Sequence, residues 1–169
     1  CDVTTLSGDE VIGPVARNLN EYDVFVRDIR ALKILRKVLK AGEPSITEIL
    51  SADKEFGWTS NFDGFHKKQG PNDVALHYNR KGKRLIGWIN RKDVNKSSHL
   101  IDTWKVMVPA AYGERGTRPA TVLGPSFIAD SPSVCTQTYL FFYVGSARKA
   151  KSLNSYLRTR FFRFLVSLR

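Results

Sequence analysis

The sequence predicts an α+β protein in which an N-terminal helix and a long C-terminal amphipathic helix pack on a twisted, mostly antiparallel sheet. Apolar residues recur at helical spacing in two stretches, residues 21–40 and 146–168, and this periodicity predicts the two helices. Between them, residues 55–144 consist of short apolar runs separated by glycines and prolines, a pattern typical of strands and turns. A length of 169 residues fits one domain.

The first predicted helix begins a helical N-terminal segment that spans residues 21–51. Asn20 stands at the N-cap position, and Gly42 with Pro44 ends the helix. Its apolar face consists of five residues at helical spacing: Phe25, Ile29, Leu32, Leu35 and Leu39. Ser45 and Glu48 then form a capping-box pattern, which predicts a short second helix over residues 46–51.

The middle segment, residues 55–144, is predicted to be rich in β-structure. The runs DVALHY and LIGWINR flank NRKGKR, which predicts a β-hairpin over residues 73–94 with Gly82 at its tip. Further strands are predicted at residues 102–108, 122–127 and 134–144, and TYLFFYV is apolar enough for a buried strand. Four aromatic residues near the start of this segment form either part of the core or a protein-docking surface: Phe56, Trp58, Phe62 and Phe65.

The last predicted helix spans residues 146–168, with Ser146 as its cap. Its apolar residues step by three or four positions and form one stripe: Ala150, Leu153, Leu157, Phe161, Phe164 and Leu168. The stripe is expected to face the core. The basic side of the helix is then either solvated or lies against a phosphate backbone.

The charge of the chain is strongly positive and unevenly distributed. The net charge is +11; residues 1–60 hold 8 Lys and Arg against 10 Asp and Glu, whereas residues 61–120 hold 12 against 5 and residues 121–169 hold 7 against 1. Such a field attracts a polyanion. No apolar run is long enough for a membrane span, so no membrane partner is predicted. The two cysteines fit a reducing cytoplasm, and the start at Cys1 suggests a piece of a longer polypeptide.

No residue set in the sequence is typical of a catalytic or metal site. His66, His77 and His99 are isolated, and two cysteines at these intervals do not form a zinc-ligand pattern. No phosphate-binding glycine loop occurs either. The segment FYVGSARK matches half of the GIY-YIG nuclease signature, without its partner tripeptide and without a downstream Glu. A nuclease in its own right is therefore the weakest interpretation, and no catalytic residue, metal or cofactor is predicted for this chain.

Four blocks of the sequence together resemble a known family. In order they are EFGWTSNF, KVMVPAAYGERG, VLGPSFIADSPSVCTQTYL and SYLRTRFFRFLVSLR. They look like the C-terminal target-recognition region of adenine-specific DNA methyltransferases from restriction–modification systems, including type II enzymes that fuse cleavage and methylation. The resemblance covers roughly residues 48–169.

The resemblance implies a domain that binds a short sequence in double-stranded DNA. A separate methyltransferase domain of the same polypeptide would bind S-adenosylmethionine and methylate adenine. The family's Asn-Pro-Pro-Tyr/Phe active-site motif does not occur in this sequence. The chain thus resembles the recognition part of such an enzyme without its catalytic part. A protein-docking domain of the same system is the alternative.

The candidate DNA contacts fall into two groups. Side chains that can form forked hydrogen bonds to base edges stand in predicted loops: Asn61, Gln69, Asn72, Arg115 and Arg118. Arg115 is the favoured one because glycines flank its short loop, and the alternative is a structural arginine paired with Glu114 or Asp130. Cations expected at phosphates are Lys67, Lys68, Arg80, Lys81, Lys83, Arg84, Arg91, Lys92, Arg148, Lys149 and Lys151.

Overall fold

A computed structural model describes residues 1–22, 25–26, 28–112 and 122–168 of the chain. It contains both helices and strands, which confirms the α+β class. The sequence predicted a single domain, whereas the contacts group the residues into two compact units. The first unit comprises Cys1–Ser45 and Arg160–Arg169, and the second comprises Ile46–Thr159. None of the described helices is both long and apolar enough to span a bilayer.

The first unit combines a hairpin with two helices. Strands β1 (Asp2–Ser7) and β2 (Glu10–Ala16) pair antiparallel, and Gly8 occupies the turn with a φ of 61°. The helices are α1 (Ile29–Lys40) and α3 (Arg160–Ser167). The small core of this unit contains Val26, Ala31 and Leu32, with partly buried side chains of both helices packed against it.

The first helix begins eight residues later than the sequence predicted. Its N-cap is Asp28, whose side chain accepts a hydrogen bond from the backbone N–H of Arg30, so Asn20 is not the cap. The arginines of α1 are used within the unit: Arg30 pairs with Asp28 and Glu10, and Arg36 pairs with Glu21. Their charges therefore need no external ligand.

The second unit contains two three-stranded sheets. In the first sheet, β3 (Asp73–Arg80) lies between β4 (Lys83–Asn90) and β7 (Ser133–Cys135). In the second, β5 (Trp104–Pro109) lies between β6 (Phe127–Ala129) and β8 (Tyr139–Val144). The pairing of β3 with β7 is parallel, and the other strand pairs among the described residues are antiparallel. The predicted single sheet is thus replaced by separate small sheets.

Two predicted strands have different bounds in the structure. The strand predicted at residues 122–127 begins only at Phe127, and residues 122–126 form no strand. The predicted strand 134–144 is divided into β7 and β8. After Cys135 the chain turns, with the backbone N–H of Tyr139 donating to the carbonyl oxygen of Thr136, and crosses from the first sheet to the second.

The C-terminal helix is also divided. Helix α2 (Ala147–Leu157) belongs to the second unit, where it packs on β5, β6 and β8. Ser146 is its N-cap, as predicted. The helix ends at Arg158, and the Thr159 hydroxyl donates to the carbonyl oxygen of Tyr156, so the predicted continuous helix is wrong. The apolar stripe predicted for this helix is accordingly divided between α2 and α3, and one of its members, Phe161, is 45% exposed.

The predicted helix over residues 46–51 is a short 3-10 helix, Ile46–Ile49.

The core of the second unit lies on one face of the β3–β4 hairpin. Leu76 and Val74 of β3 point into it, together with Phe141 of β8 and Val134 of β7. The aromatic residues near the start of the unit belong to this core. Phe56 is buried, and Trp58, Phe62 and Phe65 pack against the core in a series of ring contacts with centroids 5.1–6.3 Å apart. Phe56 is therefore a core residue, and the other three are partly buried side chains packed at its edge.

Candidate nucleic-acid interface

The tip of the β3–β4 hairpin brings four cations together. Lys81 and Gly82 form a two-residue turn in which both φ angles are positive, 52° and 76°, as tight hairpin turns of type I′ require. Arg80 stands opposite Lys83, and Asn79 stands opposite Arg84. We call Arg80, Lys81, Lys83 and Arg84 the tip cluster, and the sequence predicted this grouping.

The side chains of the tip cluster are exposed, and no described acidic side chain pairs with them. None of its members forms an ion pair or a side-chain hydrogen bond with any residue that the structure describes. Two of them lie over aromatic rings: the guanidinium carbon of Arg80 is 5.8 Å from the ring centre of Tyr78, and that of Arg84 is 4.3 Å from the ring centre of Phe127. Like charges this close repel each other, so a nearby anion would stabilise the tip.

The face of the hairpin opposite the core borders a cleft of about 420 Å³. Ala75 and His77 of β3 stand beside Trp88 and Ile86 of β4 on this face. The facing wall is β6 with the turn that follows it, and the full lining is Gln69, Asp73, Ala75, His77, Arg84, Ile86, Trp88, Phe127, Ile128, Ala129, Asp130, Ser131 and Pro132. The cleft therefore combines apolar walls with side chains that can donate or accept hydrogen bonds.

His77 is buried in the wall of the cleft and is uncharged at neutral pH. Burial lowers its pKa to about 4, and the positive charges of Arg84 and Lys105 add to this effect. Its Nδ1 atom is buried without a hydrogen-bond partner among the described residues, and its ring lies 5.6 Å from that of Phe127. The imidazole thus contributes polarity to the wall but no positive charge.

The other polar groups of the cleft carry both signs of charge. Arg84 and Gln69 can donate hydrogen bonds, whereas Asp73 and Asp130 are carboxylates. One oxygen of Asp73 already accepts from the backbone N–H of Gly70 at 2.8 Å, which fixes the loop that carries Gln69. Gln69, a predicted base-contacting residue, is therefore held at the rim of the cleft.

Other predicted residues on this side of the unit differ in their surroundings. Lys67 and Lys68 are exposed and follow His66, whose backbone pairs with Trp88 at the free edge of β4. Asn61 is exposed but does not line the cleft. Asn72 has a φ of 61°, a conformation that asparagine tolerates well, and its carbonyl oxygen accepts from the backbone N–H of Arg91. The backbone conformation of this turn thus explains the presence of asparagine at position 72 without a DNA contact.

Arg91 does not fit a free phosphate contact. Its two terminal nitrogens donate to the two carboxylate oxygens of Asp102 at 2.8 and 2.6 Å. The hydrogen-bonded Asp102 raises the pKa of Arg91, and Arg91 correspondingly lowers the pKa of Asp102. This pair occupies the fork of the guanidinium, so Arg91 has a structural role. Its neighbour Lys92 remains exposed.

The cations predicted on the last helix lie on α2. Arg148, Lys149 and Lys151 are all exposed, whereas Ala150 and Leu157 of the same helix are buried. These three cations lie on a helix that packs on the sheet of β5, β6 and β8, whereas the tip cluster lies on the sheet of β3, β4 and β7. Arg115 and Arg118, with the alternative partner Glu114, lie outside the described residues. Asp130, the other alternative partner of Arg115, lines the cleft.

Trp88, Phe127 and His77 line the cleft, and the sequence predicted none of them as a contact residue. The alternation of β3 and β4 could have placed Trp88 and His77 on one face, because cross-strand partners of a hairpin share a face. Phe127 could not have been found in this way. Its position under Arg84 depends on the pairing of β6 with β5.

Two buried ionisable side chains of the second unit, Lys105 and Cys135, have shifted pKa values. Lys105 is fully buried, and its amine donates to the carbonyl oxygens of Ile101 and Thr103 at 3.1 and 2.9 Å. Burial lowers the pKa of Lys105 to about 8 and raises that of Cys135 to about 12, so the thiol is protonated at neutral pH. Across the described residues, His, Cys, Asp and Glu form no group that could hold a metal ion.

Comparisons with known proteins do not assign the chain to a family. No family model, curated protein or solved structure matches it.

Proposed function

We propose that the chain is a double-stranded DNA recognition module of a restriction–modification enzyme. In this proposal it positions a separate methyltransferase domain of the same polypeptide, which methylates adenine with S-adenosylmethionine in the cytoplasm. The module itself supplies no catalytic residue. The observation that carries the proposal is the tip cluster, four exposed cations that have no ion-pair partner among the described residues and stand beside a cleft with hydrogen-bonding side chains.

The charges support a nucleic acid over an acidic protein surface because four of them lie together at one tight hairpin turn. A two-stranded ribbon fits the major groove of B-DNA, where phosphates flank base edges. Lysines of the tip and of the adjacent loop, Lys81, Lys83, Lys67 and Lys68, would neutralise phosphates. Such contacts give affinity and orientation without sequence information. Arg148, Lys149 and Lys151 of α2 are proposed phosphate contacts of the same kind.

Side chains near the cleft would supply the sequence information. Gln69 can form a forked pair of hydrogen bonds with adenine. Arg115 and Arg118 are proposed base contacts on the strength of the sequence alone. Arg91 is left out of the interface, because its fork is occupied by Asp102.

The first experiment is selection from a pool of random-sequence duplexes with the whole 169-residue chain at two salt concentrations, followed by sequencing of the bound DNA. Enrichment of one short motif supports the proposal. Binding that is equally strong for all duplexes contradicts sequence recognition and leaves a basic clamp. Absence of binding at low salt contradicts the DNA role and favours a protein-docking module, the alternative function.

The double substitution Lys81→Ala and Lys83→Ala tests the role of the tip. We expect weaker binding to every duplex by a similar factor, and a slope of log affinity against log salt that falls in magnitude by about two, because each phosphate contact contributes roughly one. Fluorescence anisotropy titrations at four salt concentrations measure this. Lys96→Ala is the matched control, since its amine already donates to the backbone of Lys54. An unchanged slope in the double variant would contradict the assignment.

A further inference from the structure

The geometry of the cleft points to Arg84 as a base-contacting residue that selects guanine, rather than as one of the phosphate contacts. This inference rests on the proposed DNA-recognition function and names the residue that would determine part of its specificity. The sequence grouped Arg84 with the other cations of the tip. The structure separates Arg84 from the other three by its shorter distance to an aromatic ring and by its place in the lining of the cleft, beside two carboxylates.

The aromatic ring that the Arg84 guanidinium contacts is that of Phe127. The guanidinium carbon of Arg84 lies 4.3 Å from the ring centre, the shortest such cation–ring distance among the described residues. Phe127 is itself fixed, because its ring packs edge-on against buried Tyr139 with centroids 5.3 Å apart and lies near His77. Contact with an aromatic ring restricts the guanidinium before any ligand arrives, which reduces the entropy lost on binding.

The guanidinium donors of Arg84 are unused within the part of the chain that the structure describes. Its guanidinium makes no ion pair and no hydrogen bond with any residue in the described ranges, and the side chain is exposed. Arg91, directly after β4, shows the contrasting case, because its guanidinium donates two hydrogen bonds to the carboxylate of Asp102. A guanidinium that is restricted in position and has unused N–H donors can donate two hydrogen bonds to acceptors in one plane, such as O6 and N7 of guanine.

The surrounding charges favour a base edge over a phosphate. The cleft that Arg84 borders is also lined by Asp73 and Asp130, whose carboxylates repel a phosphate group. A neutral base edge meets no such repulsion, and Trp88 and Ile86 offer it apolar contact. Lys83, in contrast, does not line the cleft and is exposed at the tip, as a phosphate contact requires.

The test compares Arg84→Lys with Arg84→Ala on the duplex that the unmodified chain enriches. Lysine keeps the charge but loses the fork. We expect Arg84→Lys to weaken binding to the enriched duplex by about 10-fold to 100-fold, to leave binding to random duplex and the salt slope nearly unchanged, and to lose one G·C pair from the selected motif. Arg84→Ala should add a uniform loss on all duplexes.

Phe127→Leu provides a second variant, because it removes the ring while keeping an apolar side chain. It should weaken the preference at the same G·C pair without changing the salt slope. Thermal unfolding of each variant checks that the second unit remains folded. Lys83→Ala is the matched comparison, with equal losses on enriched and random duplexes.

The outcomes separate the inference from the proposed function. If the unmodified chain enriches a motif and Arg84→Lys selects the same motif with the same affinity, the assignment of Arg84 is overturned while the recognition function stands. Equal losses of Arg84→Lys on enriched and random duplexes also overturn it, because they indicate a phosphate contact. If the unmodified chain enriches no motif, the recognition function and the inference fall together.

Discussion

The two ends of the β3–β4 hairpin both carry cations, but their surroundings differ. At the tip, Arg80, Lys81, Lys83 and Arg84 lie exposed with no ion-pair partner among the described residues. At the other end, Arg91 is bound by both carboxylate oxygens of Asp102. A run of basic residues in a sequence therefore does not distinguish charges used by the fold from charges available to a ligand. The distinction depends on which acids the fold brings near.

The largest effect should come from the core that supports both ends of the hairpin. Leu76 is fully buried on the core face of β3, so Leu76→Ala is expected to lower the free energy of unfolding by about 2–5 kcal/mol. Urea denaturation measures the change. Ile86→Ala, on the cleft face and 52% exposed, is the matched control and should cost less than about 1 kcal/mol. Similar losses for both variants would contradict the assignment of the two faces.

The middle of the hairpin should give the next largest effect, through His77. Its folded pKa of about 4 lies below the ordinary value of 6.5, so the unfolded chain takes up the proton first as pH falls. Stability is therefore complete above about pH 6.5–7 and is lost progressively toward pH 4. Between pH 7.5 and 5 the loss from this group should be about 2 kcal/mol.

Urea denaturation of His77→Gln at the two pH values checks this prediction. The variant should lose less stability between pH 7.5 and 5 than the unmodified chain, whatever its stability at pH 7.5. His99→Gln is the control, because His99 is exposed, and it should keep the full pH dependence. Equal pH dependence in all three proteins would show that His77 is not buried in its neutral form.

The smallest effect is expected at the end that is already paired. A double-mutant cycle with Arg91→Ala and Asp102→Ala should give a coupling energy of about 0.2–1 kcal/mol, because both side chains are substantially exposed to solvent. Arg91 lowers the pKa of Asp102, so the coupling should be present at pH 5 and be lost only as pH falls below the ordinary value of 3.8. DNA binding should be nearly unchanged in Arg91→Ala. A loss comparable to that of Lys81→Ala and Lys83→Ala would place Arg91 back among the ligand contacts.

Local sequence signals predicted the hairpin well. The run NRKGKR predicted the turn because Gly82 accepts a positive φ, and the flanking apolar residues fixed the strands, so the tip cluster was predicted correctly. Ser146 was also recognised as a cap because the capping interaction is local. These features depend on residues within a few positions of each other.

Features that depend on distant residues were missed. Nothing near Ser133–Cys135 indicates that this strand pairs in parallel with β3, or that the next strand belongs to another sheet. The partner of Arg91 could not be chosen among the acids of the sequence without the fold. The contact of Arg84 with Phe127 likewise depends on two hairpin strands and β6 meeting in space.

The crossing of residues 127–144 between the two sheets has a consequence for synthesis on the ribosome. Both three-stranded sheets of the second unit are completed by strands from this late segment, since Ala75 pairs with Ser133 and Val106 with Ile128 and Phe142. A nascent chain that has emerged only through Pro109 can close the β3–β4 hairpin but lacks Val134, Tyr139 and Phe141 of the core. Its apolar hairpin face stays exposed until those residues emerge, so late folding and early dependence on chaperones are expected.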